Sequence, residues 1–370
     1  MSAPKPFLSV IVPVYRGETV LRRSLPALLA SDLPRSEWEL VVVDDTSGDD
    51  TPAVAAEYAD RIVRLDGGPR GPAYARNRGI EAARADIVVF IDADVCVHTD
   101  VLAKFAAAFR ADAGLAAVFG SYDADPTAPG LVSQFRNLLH HHVHHLSPGP
   151  AETFWAGCGA VRREALLDVG MYDAWHFPRP QIEDIELGRR LRRAGYHIEL
   201  RPDIQCTHLK RWTLRNMIVT DFRDRGVPWM WLLLSEGRSE GSAALNLRPS
   251  EKLCTALVAF IALALPAAAL LRSFSLLLAA VLAVLIIVSL NRPFYAVLAR
   301  ARGPAFALAC VPLHLTFYFT GGLGGVLGAA LYYTRGVPGP PAPVPDEGAA
   351  PPPLDRPDSS VWAMAARGRR

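Results

Sequence analysis

Excess charge of either sign is missing from this chain. Across 370 residues, 39 Lys and Arg face 37 Asp and Glu, leaving a formal net charge of +2. A nucleic-acid binder would normally carry a basic face, so the balance argues against that class. Cysteine is sparse too: Cys96, Cys158, Cys206, Cys254 and Cys310 are scattered, odd in number and never spaced as C-x-x-C. That pattern excludes a disulfide framework and a zinc ribbon and fits a reducing, cytosolic setting. Residues 1–15 lack the build of a signal peptide, so the soluble part is expected to stay in the cytosol. No Gly-rich, Lys-bearing triphosphate loop stands at the amino terminus, which argues against nucleotidyl transfer. No internal repeat is visible, and the length allows about two ordinary domains.

Charge is also missing locally. Residues 253–271, 273–290 and 303–333 contain no Asp, Glu, Lys or Arg. A membrane span needs about 17–25 apolar residues, so the first two stretches read as a tight hairpin around Arg272. The third reads as a span over about 305–333, although it contains Pro312, His314 and Gly321-Gly322-Leu323-Gly324-Gly325. Residues 252–333 are therefore expected to form an α-helical membrane region. The linker 291–302, with Arg292, Arg300 and Arg302, falls on the cytosolic side by the positive-inside rule. If all three segments span, the tail 334–370 lies outside, and its Pro-rich run between residues 338 and 357 reads as an extended or disordered extension.

The remainder alternates. Residues 8–15 read as a strand and 18–30 as a helix with Leu21, Leu25, Leu28 and Leu29 on one face. Strands follow at 38–43, 62–65 and 86–91, with helices at 51–59 and 73–84. Such alternation with short connections indicates an α/β fold, a Rossmann-like, mostly parallel sheet with flanking helices. The second half is less regular: a strand near 115–120 and helices near 131–146 and 182–194.

The strand at 86–91 ends in Asp92-Ala93-Asp94. A carboxylate pair at that end of a parallel strand lies where open α/β sheets bind ligands. Hard oxygen donors on a short loop suit Mg²⁺ or Mn²⁺, which can hold a diphosphate; a solvated strand-end turn is the plain alternative. Asp44 and Asp45 close the second strand, where a carboxylate can accept from a base N–H or a ribose hydroxyl. Asp49 and Asp50 read as helix caps.

Together the segments Val10-Ile11-Val12-Pro13-Val14-Tyr15, Val42-Val43-Asp44-Asp45 with Ser47, Ala75-Arg76-Asn77-Arg78-Gly79 and Asp92-Ala93-Asp94 resemble the nucleotide-sugar half of family-2 glycosyltransferases. Phe154-Trp155-Ala156-Gly157-Cys158-Gly159-Ala160 resembles the Gly-rich segment below that family's acceptor site. Glu183-Asp184 with Glu186, Leu187, Arg190, Leu191 and Gly195 is similar to its acidic catalytic helix. The resemblance covers roughly residues 8–212. It implies a GT-A fold and an inverting transfer from a nucleotide sugar. Such a displacement needs a base on the acceptor hydroxyl and charge stabilisation of the leaving diphosphate. The resemblance assigns Asp184 as base with Glu183 beside it, and Asp94 as metal ligand, joined by Asp92. It places Pro13, Tyr15, Asp44, Asp45, Arg76 and Asp92 at the donor, and Trp155 and Gly157 at the acceptor.

His208-Leu209-Lys210-Arg211-Trp212 resembles the (Gln/Arg)-x-x-Arg-Trp signature of membrane-bound members, with His208 in the first position weakening a processive assignment. On that likeness Arg211 would pair with the diphosphate, Trp212 would floor the acceptor site and His208 would join the metal. The run His140-His141-His142-Val143-His144-His145 is no zinc site by spacing, since a helix spreads it around its circumference. Residues 213–235 mix basic and apolar residues before Trp229, Met230 and Trp231, as suits a helix lying on a bilayer or a packing helix of the catalytic domain.

The expected organisation is a catalytic domain at 1–235 (donor half 1–95, acceptor half 96–212, interfacial helix 213–235), the membrane region 252–333 and the tail 334–370. The expected activity is transfer of one sugar from a nucleotide-diphosphate donor to a lipid or lipid-linked acceptor. The expected setting is a multi-pass protein of the plasma membrane, its catalytic domain cytosolic, with Mg²⁺ or Mn²⁺ as cofactor and no nucleic-acid partner. A processive polysaccharide synthase and a non-catalytic nucleotide-sugar binder are the rivals.

Overall fold

The computed structural model describes residues 5–236 and 248–337, and packing divides them into two units. The first comprises residues up to Asp123 together with His144–Lys210. Its strands and helices run β1 (Leu8–Val14), α1 (Glu18–Leu29), β2 (Trp38–Asp44), α2 (Thr51–Ala56), β3 (Arg61–Arg64), α3 (Pro72–Ala82) and β4 (Ile87–Ile91). Then come β5 (Val95–Val97), α4 (Val101–Ala111) and β6 (Leu115–Tyr122), followed by α5 (Leu131–His145), which begins in the second unit. β7 (Gly149–Pro150), β8 (Cys158–Arg162), α6 (Arg163–Asp168), α7 (Glu183–Arg193) and β9 (His197–His208) complete the first unit.

The strands form one sheet in the order β3-β2-β1-β4-β8-β6-β9-β5, with β7 on β9. β1 lies parallel to β2 and β4, and β2 to β3, which is the expected doubly wound half. Beyond β4 the sheet is mixed, not mostly parallel. β8 returns from the excursion through residues 123–157 and inserts reversed between β4 and β6. β9 then runs parallel to β6, and β5 pairs with it in reverse.

Helices cover both faces, so β1, β2 and β4 are buried on both sides and read as continuous apolar runs. Val10, Val12, Leu40 and Val42 meet Leu21, Leu25 and Leu28 of α1 on one face. Ile11, Val41, Val88 and Phe90 meet Ala75 and Ile80 of α3 and Leu187 and Leu191 of α7 on the other. This places the carboxyl end of β1, with Tyr15, and those of β2 and β4, with their acidic residues, at one edge of the sheet.

The second unit, Ala124–Val143 with Arg211–Gly336, is helical. After α5 it contains α8 (Leu214–Val219), a π-helical turn (Thr220–Gly226), α9 (Val227–Glu236), α10 (Pro249–Leu271) and α11 (Phe274–Leu290). α12 (Arg292–Arg302), α13 (Pro304–Ala309) and α14 (Val311–Arg335) follow. Packing thus joins residues 124–143 and 211–235 to the apolar helices, where the sequence pattern grouped them with the sheet.

Among the described residues, two helical stretches are long and apolar enough to cross a membrane, Pro249–Leu271 and Pro304–Arg335, or three if α11 and α12, bent by 75°, count as one. Leu263, Leu270, Phe274 and Leu308 stand at least 74% exposed on these helices, an apolar surface turned outward. The expected helix over 213–235 is present as a continuous helical run through the π turn, and the π turn and α9 pack along α14. The glycines of α14 make that possible. A Cβ on Gly324 would stand 2.7 Å from the Phe222 carbonyl oxygen, and one on Gly328 would stand 2.7 Å from that of Val227. The Trp231 indole N–H donates to the Gly328 carbonyl at 3.0 Å. His314 is buried, with its Nδ1 3.1 Å from the Tyr295 hydroxyl, among the rings of Phe135, Phe294 and Tyr318. The Pro-rich part of the expected tail, from residue 338, lies outside the described residues.

Candidate active site

Asp44 and Asp45 end β2, and both are buried. Asp45 accepts from the backbone N–H of Arg70 at 2.9 Å and of Gly71 at 2.8 Å, fixing the loop that leads into α3. Asp44 accepts a longer bond, 3.2 Å, from the Ser47 N–H. Ser47 in turn accepts from the Arg16 N–H at 2.8 Å, tying the turn after Tyr15 to the turn after β2. Pro13 is buried within β1, whereas Tyr15 projects with 46% of its surface exposed.

Arg76 rises from α3 into the centre of the site and is buried. One guanidinium nitrogen donates to Asp92 at 2.8 Å and another to Glu183 at 2.9 Å. The cation lies 5.4 Å from the centroid of the Tyr172 ring. These acidic neighbours and the ring hold its proton more firmly than usual, against a desolvation that acts the other way. Residues remote in sequence therefore meet on one planar cation, whose fork matches carboxylates in geometry.

Glu183 and Asp184 open α7, where a helix amino terminus favours negative charge. Glu183 is fully engaged: its second oxygen accepts from the Gln181 N–H at 2.8 Å. Asp184 accepts from two backbone N–H groups, Ala156 at 3.2 Å and Ile185 at 2.8 Å, and meets no cation directly in these bonds. Burial and the adjacent Glu183 charge push its carboxyl up to about 7, a shift only partly opposed by Arg76. A carboxylate held near neutrality is matched to proton abstraction. The Ala156 N–H that reaches it belongs to the Gly-rich segment. There Gly157 admits the Trp155 ring, since a Cβ would stand 2.4 Å from it.

Asp94 faces β9. Its carboxylate lies 3.5 Å from His208 Nε2, and its backbone carbonyl accepts from the Leu209 N–H at 2.8 Å. Burial alone would raise the Asp94 carboxyl, but His208 and Lys210 hold it below its ordinary value, so it is ionised. His208 is itself buried and stacks on Tyr122 at 4.4 Å. Asp92 and Asp94 keep 33% and 31% of their side chains accessible. An ionised carboxylate beside an imidazole suits a hard or borderline divalent cation. Among the described residues no group of three or more acidic, His or Cys side chains has metal-binding geometry. A divalent cation at this place would be held by Asp94, with His208.

Arg211 and Trp212 belong to the second unit. Arg211 is exposed, while Trp212 is buried, its backbone N–H donating to the Ser133 hydroxyl at 2.8 Å and its ring facing Arg136 at 5.4 Å. The histidine run divides as expected of a helix. His140 contacts Arg225 and His142 the Phe294 ring, whereas His144 packs on Phe119 and Trp155. Sequence reading had no signal for Tyr172, a single aromatic in an irregular stretch. It packs on Phe90 at 5.4 Å and beneath Arg76.

Residues 9–170 match the family model described as Glycosyl transferase family 2. The chain is 36% identical over 105 residues to the poly(ribitol-phosphate) beta-N-acetylglucosaminyltransferase TarS of Staphylococcus aureus, covering 27% of this chain and only 18% of that protein. It is 26% identical over 245 residues to glycosyltransferase AglE of Haloferax volcanii, covering 63% of this chain and 77% of AglE. Among solved structures it superposes on a mannosyltransferase from Pyrobaculum calidifontis, in complex with GDP-Man and Mn²⁺, with a TM-score of 0.57 and 23% identity. That likeness covers 84% of this chain and 87% of the mannosyltransferase and bears on the fold.

Proposed function

We propose, from the match of residues 9–170 to the Glycosyl transferase family 2 model and the likeness of the fold to the mannosyltransferase, that the chain transfers one sugar, with inversion, from a nucleoside-diphosphate sugar to a membrane-associated acceptor. The acceptor is a lipid or lipid-linked glycan of the cell envelope. The observation that carries this reading is the Arg76 bridge, which joins Asp92 on the donor side to Glu183 beside Asp184.

Each residue then has a chemical task. Asp44, with one long hydrogen bond of its own, is available to a base N–H or ribose hydroxyl, and Tyr15 offers an exposed ring beside it. Asp94, with His208, would hold Mg²⁺ or Mn²⁺, while Asp92 stays paired with Arg76. When bound, the ion neutralises charge on the diphosphate and makes it a better leaving group. Asp184, unprotonated above about pH 7, takes the proton of the acceptor hydroxyl as oxygen attacks the anomeric carbon from the face opposite the diphosphate. Glu183 and Arg76 keep that carboxylate and the donor carboxylates in fixed register. Trp155, held over Gly157, lines the acceptor side.

The outward apolar helices support a membrane anchor, with the sheet unit in the cytosol where nucleotide sugars reside. The test is a screen of labelled UDP- and GDP-sugars with detergent-solubilised full chain and membrane extract, sizing the products. A single added sugar on extractable lipid is the expected result. Absence of transfer from every donor would refute the reading, and a ladder of long products would replace it with a processive synthase.

A further inference from the structure

Tyr172 is buried almost completely, and its hydroxyl has no hydrogen-bond partner among the described residues. An orphaned buried hydroxyl carries an uncompensated desolvation penalty, and phenylalanine at the same place would avoid it. The ring alone already performs the visible packing, edge-on to Phe90 and beneath the Arg76 guanidinium. The backbone is fixed independently. The Asn77 amide donates to the Tyr172 carbonyl at 2.9 Å and accepts from its N–H at 2.9 Å, a two-point clamp from the residue next to Arg76. The hydroxyl is thus buried without a partner on the ring that faces Arg76, whose guanidinium binds Asp92 and Glu183.

We propose that Tyr172 is a positioning residue for the transfer reaction, its hydroxyl donating to the Asp184 carboxylate once substrate occupies the site. Asp184 is the acceptor of choice because Arg76 already engages Asp92 and Glu183, and Gln181 takes the second oxygen of Glu183. Each Asp184 oxygen receives only one backbone N–H and retains a lone pair. Burial and the carboxylates around it hold the phenol protonated, against the pull of Arg76, so a donor hydrogen is present. A phenolic hydrogen bond to the ionised base orients it and favours its charged form.

The inference rests on the glycosyltransferase reading and is separable from it. The assay is donor hydrolysis by the detergent-solubilised full chain, followed as release of UDP or GDP from the best donor of the screen. Wild type and Asp184→Asn test the reading itself; Tyr172→Phe tests the inference. Tyr172→Phe is expected to lower kcat about tenfold or more, the worth of one hydrogen bond to a charge, with KM little changed. The acid limb of its pH profile should move to higher pH, since Asp184 loses a bond to its ionised form. Its Tm should stay or rise, because the lost hydroxyl bonds to nothing in the free protein. Three results would each overturn the proposal while leaving the reading intact: kcat within twofold of wild type, lower kcat with an unmoved acid limb, or a clear fall in Tm.

Discussion

Arg76 and Glu183 lie 107 positions apart in the chain and 2.9 Å apart in space, both buried. Removing one partner of such a pair leaves an uncompensated charge, which typically costs about 3–5 kcal/mol. Arg76→Met is therefore expected to lower Tm by several degrees and to reduce transfer by more than about 100-fold. Arg76→Lys should recover much of the stability but little activity, because an ammonium cannot fork between Asp92 and Glu183. Thermal unfolding and turnover of both variants check this, and equal rescue of both quantities by lysine would contradict it.

Asp184→Asn is expected to keep donor binding, abolish transfer and raise Tm. The sign follows from linkage. A carboxyl whose folded value is raised to about 7 from an ordinary 3.8 binds a proton more readily folded than unfolded. Its burden on stability grows as pH rises between those values, and asparagine removes it. In the wild type, kcat/KM should fall about tenfold per pH unit below that value, as the base becomes protonated. A pH profile flat from about 5 to 8 would exclude Asp184 as the base.

Asp94→Asn should abolish the Mn²⁺ or Mg²⁺ dependence of nucleotide-sugar binding, measured by calorimetry with and without chelator. His208→Gln should weaken it less, by about 10–100-fold, as for a supporting ligand. His208 is held by stacking on Tyr122 and by pairing of its backbone with Val95, so the substitution should leave folding intact. Metal-dependent binding unchanged in Asp94→Asn would move the cation site elsewhere.

The legible parts of this fold are those whose local pattern agrees with their tertiary role. β1, β2 and β4 are apolar throughout because both faces of the sheet are covered, and each ends in the acidic or aromatic residue that matters. β9 was not legible: its sequence is polar, and a register shift opposite Phe119 and Ser121 breaks its alternation. β8 is five residues with an internal glycine, too short to declare itself or its reversed direction. The candidate carboxylates stood out because acidic residues at strand and helix ends are locally unusual. Their connection through Arg76, and the seat that Tyr172 provides for it, arise only when distant segments pack. Trp212 was visible as a motif residue, but its burial against Ser133 and Arg136 depends on α5, which nothing in the motif announces.

The glycines of α14 lead to a prediction for the helical unit. The run Gly321-Gly322-Leu323-Gly324-Gly325 made this segment an awkward span in sequence, yet Gly324 is where α14 touches the π turn. A methyl group there would stand 2.7 Å from the Phe222 carbonyl oxygen and 3.0 Å from the Gly226 Cα. Both obstacles are backbone, so the helices must separate, and overpacking of this kind costs about 1–3 kcal/mol. Gly321, by contrast, has nothing within 4 Å of the place a methyl group would take, so alanine there adds helix propensity without a clash. Gly324→Ala should therefore lower Tm in detergent, and Gly321→Ala should leave it unchanged or raise it. If the two variants lose the same stability, close packing of α14 on the π turn is not what the glycines provide.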